Sequence, residues 1–183
     1  TARQTFSADN ITLTISNSST LRNQLNNMIK INEKANGTVI IEAGSTAETT
    51  VDKSNTINGE SSSNLNITNS GTIISAKSKA INFTDVETGS LANLSGGIIQ
   101  ANTNTISMLE NTGTTDDITI NNYGTIFATD DDNDGTNTIK SDDDSTNVTI
   151  NNFKGGHIYH TSKSAVVVAG GSATLTNSGK IEN

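Results

Sequence analysis

The sequence predicts an all-β fold, a parallel β-helix (solenoid) with a short N-terminal helix as part of the cap. Three observations carry this. Apolar residues alternate with Thr, Asn and Ser, as in "LNITNSGTII" from Leu65 and "ITINNYGTIF" from Ile118, and a period of two marks a strand. The pattern recurs in "LANLSGGII" from Leu91, "VTINNFKGGHIY" from Val148 and "ATLTNSGKIE" from Ala173. The spacing between recurrences varies while the pattern holds, which is how stacked coils absorb insertions.

Taken in order, residues 1–45 form the N-terminal cap and first coil. Leu21, Leu25, Met28 and Ile29 fall on one helical face, behind Ser19 or Thr20 as N-cap. That helix either covers the open end of the solenoid, where bare strand edges would pair with other chains, or is offered to a partner. "GTVIIEAG" from Gly37 follows as a buried strand.

Residues 46–183 read as one continuous domain of repeats. The aligned asparagines are Asn69, Asn93, Asn122, Asn152 and Asn177, separated by 24, 29, 30 and 25 residues. A second strand in each coil is marked by Ile81, Ile106, Ile139 and Val166. Stacking such coils at the strand separation of about 4.8 Å gives parallel sheets. One interior row is then Ile67, Ile120, Ile150 and Leu175. Another is Ile73, Ile98, Ile126, Ile158 and Ile181. The repeated Asn suits a ladder of side-chain hydrogen bonds, and the Gly after it suits a turn with positive φ.

Composition narrows the function. Ile, Leu, Val and Phe make up about a fifth of the chain, close to the disordered range, so the patterning carries the argument for order. The net charge of −8 argues against nucleic acid and anionic membranes. No apolar run has the length of a membrane span. There is no Cys, hence no disulfide and no thiolate metal site.

The repeated "TNSGTI", "NNYGTI" and "TNSGKI", preceded by "LRNQL" and "ANGTVIIEAG", resemble passenger domains of bacterial autotransporters (type V secretion). The resemblance implies a right-handed parallel β-helix. It implies export through the outer membrane by the full-length protein's own C-terminal translocator barrel, and residence outside the cell or on its surface. It also implies a host-cell surface protein or extracellular matrix as partner, in the manner of an adhesin or receptor-engaging virulence factor. A narrower form is a released ligand of a host growth-factor receptor that stimulates endothelial cells. Two other readings stay open: a carbohydrate-active β-helix enzyme and a structural stalk.

Site candidates are few. The step from turn Ile to second-strand marker is 8 residues from Ile73 to Ile81 and 13 from Ile126 to Ile139, so an acidic tract has been inserted at a corner of one coil. Asp130, Asp132 and Asp134, then Gly135, match the start of a calcium loop, with Asp142 in reach of the place where that motif carries Glu. The tract is either a Ca²⁺ site or a solvated acidic loop. Ile74, Ile99, Phe127 and Tyr159 follow the turn Ile in successive coils and should point outward as a partner-binding stripe, unless the chain bends there and buries them. Tyr123 and Phe153 occupy equivalent positions and read as a stacked pair or a sugar platform. Catalysis is not expected. The only histidines, His157 and His160, read as surface groups with no nucleophile motif beside them.

Overall fold

In a computed structural model, the chain is described over residues 4–6, 9–24, 26–32, 36–108, 116–129, 136–142 and 146–183. It is a β-solenoid of three parallel sheets with seven strands each. Sheet A holds Gln4–Phe6, Ile29–Asn32, Ile57–Glu60, Ile81–Thr84, Ile106–Met108, Ile139–Ser141 and Val166–Val168. Sheet B holds Ile11–Ile15, Asn36–Ile41, Asn64–Asn69, Thr88–Asn93, Asp116–Asn122, Thr146–Asn152 and Ser172–Asn177. Sheet C holds Thr20–Asn23, Thr46–Thr49, Thr72–Ser75, Ile98–Ala101, Thr125–Ala128, His157–His160 and Lys180–Glu182. Each rung visits A, B and C in turn, and each strand pairs only with its counterparts in adjacent rungs.

The period-2 pattern sets this directly. Along Asn64–Asn69 and Thr146–Asn152 buried residues alternate with residues at the surface. Three aliphatic rows fill the interior: Ile57, Ile81, Ile106 and Ile139 from sheet A, Val39, Ile67, Leu91, Ile120 and Ile150 from sheet B, and Ile73, Ile99, Ile126 and Ile158 from sheet C. All are at most 1% exposed. Each contributes roughly 1.5–3 kcal/mol by leaving water. In a solenoid that contribution is made by packing against the rung above and below, which is why single rungs do not fold alone.

The five asparagines pair in register as a ladder beside the B–C corner. Asn69 Nδ2 donates to Asn93 Oδ1, Asn93 to Asn122, Asn122 to Asn152 and Asn152 to Asn177, each at 2.8 Å. Spare amide hydrogens reach backbone carbonyls, as from Asn152 to Lys180 at 3.0 Å. Buried carboxamides are tolerable only when so satisfied.

Three expectations need correction. The predicted helix is absent: Thr20–Asn23 and Ile29–Asn32 are strands of sheets C and A, and no helix occurs among the described residues. Leu21 and Ile29 were apolar at a spacing that also suits two strands meeting the core from different sheets. Second, Ile99 faces inward and is fully buried, while Ile98 faces outward at 39% exposed. In every rung that carries the aligned glycine the inward residue stands two after it, as Ile73 does after Gly71, but after Gly97 the outward position between them is itself an isoleucine, Ile98, which pairs with Thr72 and Thr125. Ile99 pairs with Ile73 and Ile126. Third, the aligned glycines Gly71, Gly97, Gly124, Gly156 and Gly179 are not positive-φ residues. They are there for space: a Cβ on Gly97 would lie 2.5 Å from Asn93 Oδ1 and 2.6 Å from the Asn69 carbonyl. Positive φ belongs to Gly96 and Gly155, the extra glycines of the four-residue turns.

In sequence the acidic insertion comes between a strand of sheet C and a strand of sheet A. The strands on either side of it, Thr125–Ala128 and Ile139–Ser141, keep full register with both neighbouring rungs. Added residues there leave the core undisturbed.

Candidate functional site: an outward aromatic edge

The most distinctive surface lies along sheet C and the B–C corner of the fourth to sixth rungs. Register aligns Arg22, Glu48, Ile74, Gln100, Phe127, Tyr159 and Glu182 on the outer face of sheet C. Phe127 and Tyr159 stack at 4.9 Å between centroids with planes 4° apart. At the corner, backbone bonds align Leu94, Tyr123 and Phe153, and Tyr123 stacks on Phe153 at 4.3 Å and 4°. Between these rows run Ile98, Thr125 and His157, with the His157 ring against Tyr159 at 4.5 Å.

The stacking follows from the fold. In-register rungs about 4.8 Å apart place equivalent side chains at close to ring-stacking distance. Four of the chain's six aromatic residues therefore gather on one edge of two adjacent rungs. Phe83 is in the core. Because the rings face one another, what they offer outward is their edges. That favours irregular apolar contact with a protein over the flat stacking a sugar ring needs.

The edge is held from beneath. Thr138 donates its hydroxyl to the Tyr159 carbonyl, Thr105 to Phe127 and Thr56 to Ile74, each at 2.6 Å. Polar groups flank it. Arg22 pairs with Glu48 at 2.7 Å. Glu182 binds Lys180 at 2.6 Å and His157 at 2.8 Å. The hydrogen bond from Lys180, with that from His157, holds the Glu182 carboxyl below its ordinary pKa.

Of the four predicted partner-binding residues, the structure brings Ile74, Phe127 and Tyr159 into one outward row, partly exposed. Ile99 is not among them, and Gln100 takes its place. Leu94 and Ile98, exposed at 37% and 39%, extend the apolar surface and were missed. Counting two residues on from each aligned glycine would have separated the outward Ile98 from the inward Ile99.

Of the proposed calcium ligands, Asp130, Asp132 and Asp134 lie outside the described residues. Asp142 is described, and its carboxylate is engaged by Lys140 at 2.7 Å. No group of three or more His, Cys, Asp or Glu able to hold a metal occurs among the described residues. The expectation of two surface histidines fails for His160, which is 1% exposed. It occupies an interior position of sheet C, where its Nδ1 accepts the Ser162 and Lys163 amides at 3.1 and 3.0 Å and closes a turn. Set against known proteins, the chain matches no protein family, no curated protein and no solved structure.

Proposed function

We propose that this chain is a binding module, a rigid rod that presents its aromatic edge to a protein partner on a host cell or in extracellular matrix. The observation that carries the reading is the gathering of Tyr123, Phe127, Phe153 and Tyr159 on one edge of two rungs in a chain with only six aromatic residues. Aromatic residues are enriched at the centres of protein interfaces, where they bury large area for little lost side-chain freedom. The polar rim of Arg22–Glu48 and His157–Glu182–Lys180 suits an interface border. The repeats resemble those of autotransporter passengers. On that reading the rod is displayed or released outside a bacterium and acts as an adhesin or receptor-engaging virulence factor, without catalysis.

The test is saturable binding of the labelled chain to cultured human endothelial and epithelial cells, with cross-linking to identify the partner. Phe127→Ala and Tyr159→Ala should weaken binding at least about tenfold, the effect of one interface hot spot. Absence of saturable binding to either cell type, with the folded chain verified, would reject the reading in favour of a stalk.

A further inference from the structure

A second surface, remote from the aromatic edge, lies on the outer face of sheet B in the first three rungs. A trough of about 380 Å³ opens there, lined by Asn10, Asn36 and Asn64 along one side and by Thr12, Thr38 and Asn66 along the other. Its size falls at the lower end of ligand clefts. We propose that this trough is a binding site for a neutral oligosaccharide.

The lining chemistry selects the ligand. Among the described residues no charged side chain lines it, in a chain whose net charge is −8. A phosphate, sulfate or carboxylate ligand would find no cation, and a metal or basic peptide no carboxylate. An apolar ligand would strand the amides. What remains is a ligand that both donates and accepts hydrogen bonds without carrying charge, and sugar hydroxyls do both.

The amides are oriented but not used up. Asn64 Nδ2 donates to Asn36 Oδ1 at 2.7 Å, and Asn36 Nδ2 to Asn10 Oδ1 at 3.4 Å. Each carboxamide has two N–H groups and two oxygen lone pairs, so Asn36 keeps one of each for a ligand. The Thr12 and Thr38 hydroxyls make no hydrogen bond to another described residue. Asn66 Oδ1 accepts from Ser90 at 2.6 Å, which leaves its NH₂ facing the trough. Register fixes Thr12 beside Thr38 beside Asn66, and Asn36 beside Asn64. The polar groups therefore form a grid of about 4.8 Å between rungs and about 6.6 Å along each strand. A regular grid meets a regular polymer with repeated contacts, and the Thr methyls give its C–H faces apolar contact. Asn10 sits at φ 59°, a left-handed conformation that Asn accepts better than most residues, and closes one end.

The experiment is titration of the intact, ¹⁵N-labelled chain with cellohexaose, laminarihexaose, mannohexaose and chitotetraose separately, read by amide and side-chain NH₂ shifts. At least one should shift Asn10, Asn36, Thr38 and Asn64 saturably. Asn36→Ala should raise its Kd at least about tenfold, as loss of hydrogen bonds at one contact does. Asn36 points outward, and Thr38→Val serves as a second variant of unchanged shape that should also weaken binding. The proposal is overturned if none of the four sugars shifts these residues, if shifts map to the Tyr123–Tyr159 edge instead, or if both variants bind as the parent does. Stronger binding of a heparin hexasaccharide at the same residues would overturn the charge argument.

Discussion

Replacing Asn122 with Ala would remove the middle of the carboxamide ladder, and the structure allows the cost to be worked out. Two ladder bonds disappear, from Asn93 and to Asn152, both 2.8 Å, together with the 3.2 Å bond from the Gly124 amide and the 3.4 Å bond to the His157 carbonyl. The ladder bonds contribute about 1 kcal/mol each. Asn93 Nδ2 keeps the Gly97 and Thr125 carbonyls, both at 3.3 Å. Asn152 Oδ1 is left buried without Asn122 as donor, which costs about 1–3 kcal/mol more. The sum is about 4 kcal/mol. Asn177→Ala is the control. It loses one ladder bond and the 3.2 Å bond from the Gly179 amide at an exposed position, and Asn152 Nδ2 retains the Gly156 and Lys180 carbonyls, so about 1 kcal/mol should be lost. Urea melts give the global values. Because stacked rungs need not unfold as one unit, native-state exchange of the Ile120 and Ile150 amides gives the local ones. Equal costs for Asn122→Ala and Asn177→Ala would refute the reasoning, since the ladder would then be no stronger in the buried middle than at its exposed end.

Other outcomes follow from the same geometry. A double-mutant cycle on Tyr123 and Phe153 should give a coupling of about 1 kcal/mol in thermal or urea unfolding, the worth of a stacked pair beyond its buried area. Thr138→Val should cost about 1 kcal/mol by removing the hydroxyl bond to the Tyr159 carbonyl. The Glu182 carboxyl should titrate below the usual 4.3 or so by NMR, because its charged form is favoured by Lys180 and His157, and Lys180→Ala should move the midpoint up. The depressed pKa means that any stability these contacts supply is present above the ordinary carboxylate range and fades as pH falls through the folded-state value. Lys79 titrates below its usual range, first because burial disfavours its charge and then because Lys140 lies near. Folded chain thus binds fewer protons than unfolded chain at alkaline pH, and the linked stability should rise as pH climbs toward 10.5 and vanish from the profile in Lys79→Met. Calcium binding by the tract from Asp130 would show as a rise in melting temperature in millimolar calcium that Asp132→Ala abolishes, and an unchanged melting temperature would leave the tract a solvated acidic loop.

Most of the architecture was legible because a solenoid repeats its instructions. The five asparagines and the second-strand markers needed only a constant period of two and fall in register. The two expected interior rows hold except at Ile98, which faces outward, and at Leu175, which pairs with Ile150 but is 51% exposed in the last rung. What failed depended on an apolar residue at an outward position or on a segment outside the repeat. After Gly97 two isoleucines stand in a row where the neighbouring rungs have Thr before Ile, and taking the first of them as the inward one is a slip of one residue, which inverts a strand. The stretch from Thr20 to Ile29 carries apolar residues at a spacing consistent with one helix or with two strands around a corner, and pairing with the next rung decided it. His160 resembled a surface residue beside His157, yet the odd and even positions of one strand face opposite sides. The trough on sheet B left no local mark in the sequence, since it is made of side chains separated by whole rungs.

The carboxamide ladder also has a direction. Every bond runs from the Nδ2 of one rung to the Oδ1 of the next, from Asn69 through to Asn177, so the amide dipoles align head to tail and polarise one another. At the N-terminal end the row passes to Ile41, and Asn69 Oδ1 is buried without a hydrogen-bond partner. The stack is thus a one-way wire whose two ends are chemically unlike, the first wanting a donor and the last offering one. A rung added in the same direction extends the donor-to-acceptor order, whereas a single carboxamide turned end for end would set oxygen against oxygen on one side and N–H against N–H on the other.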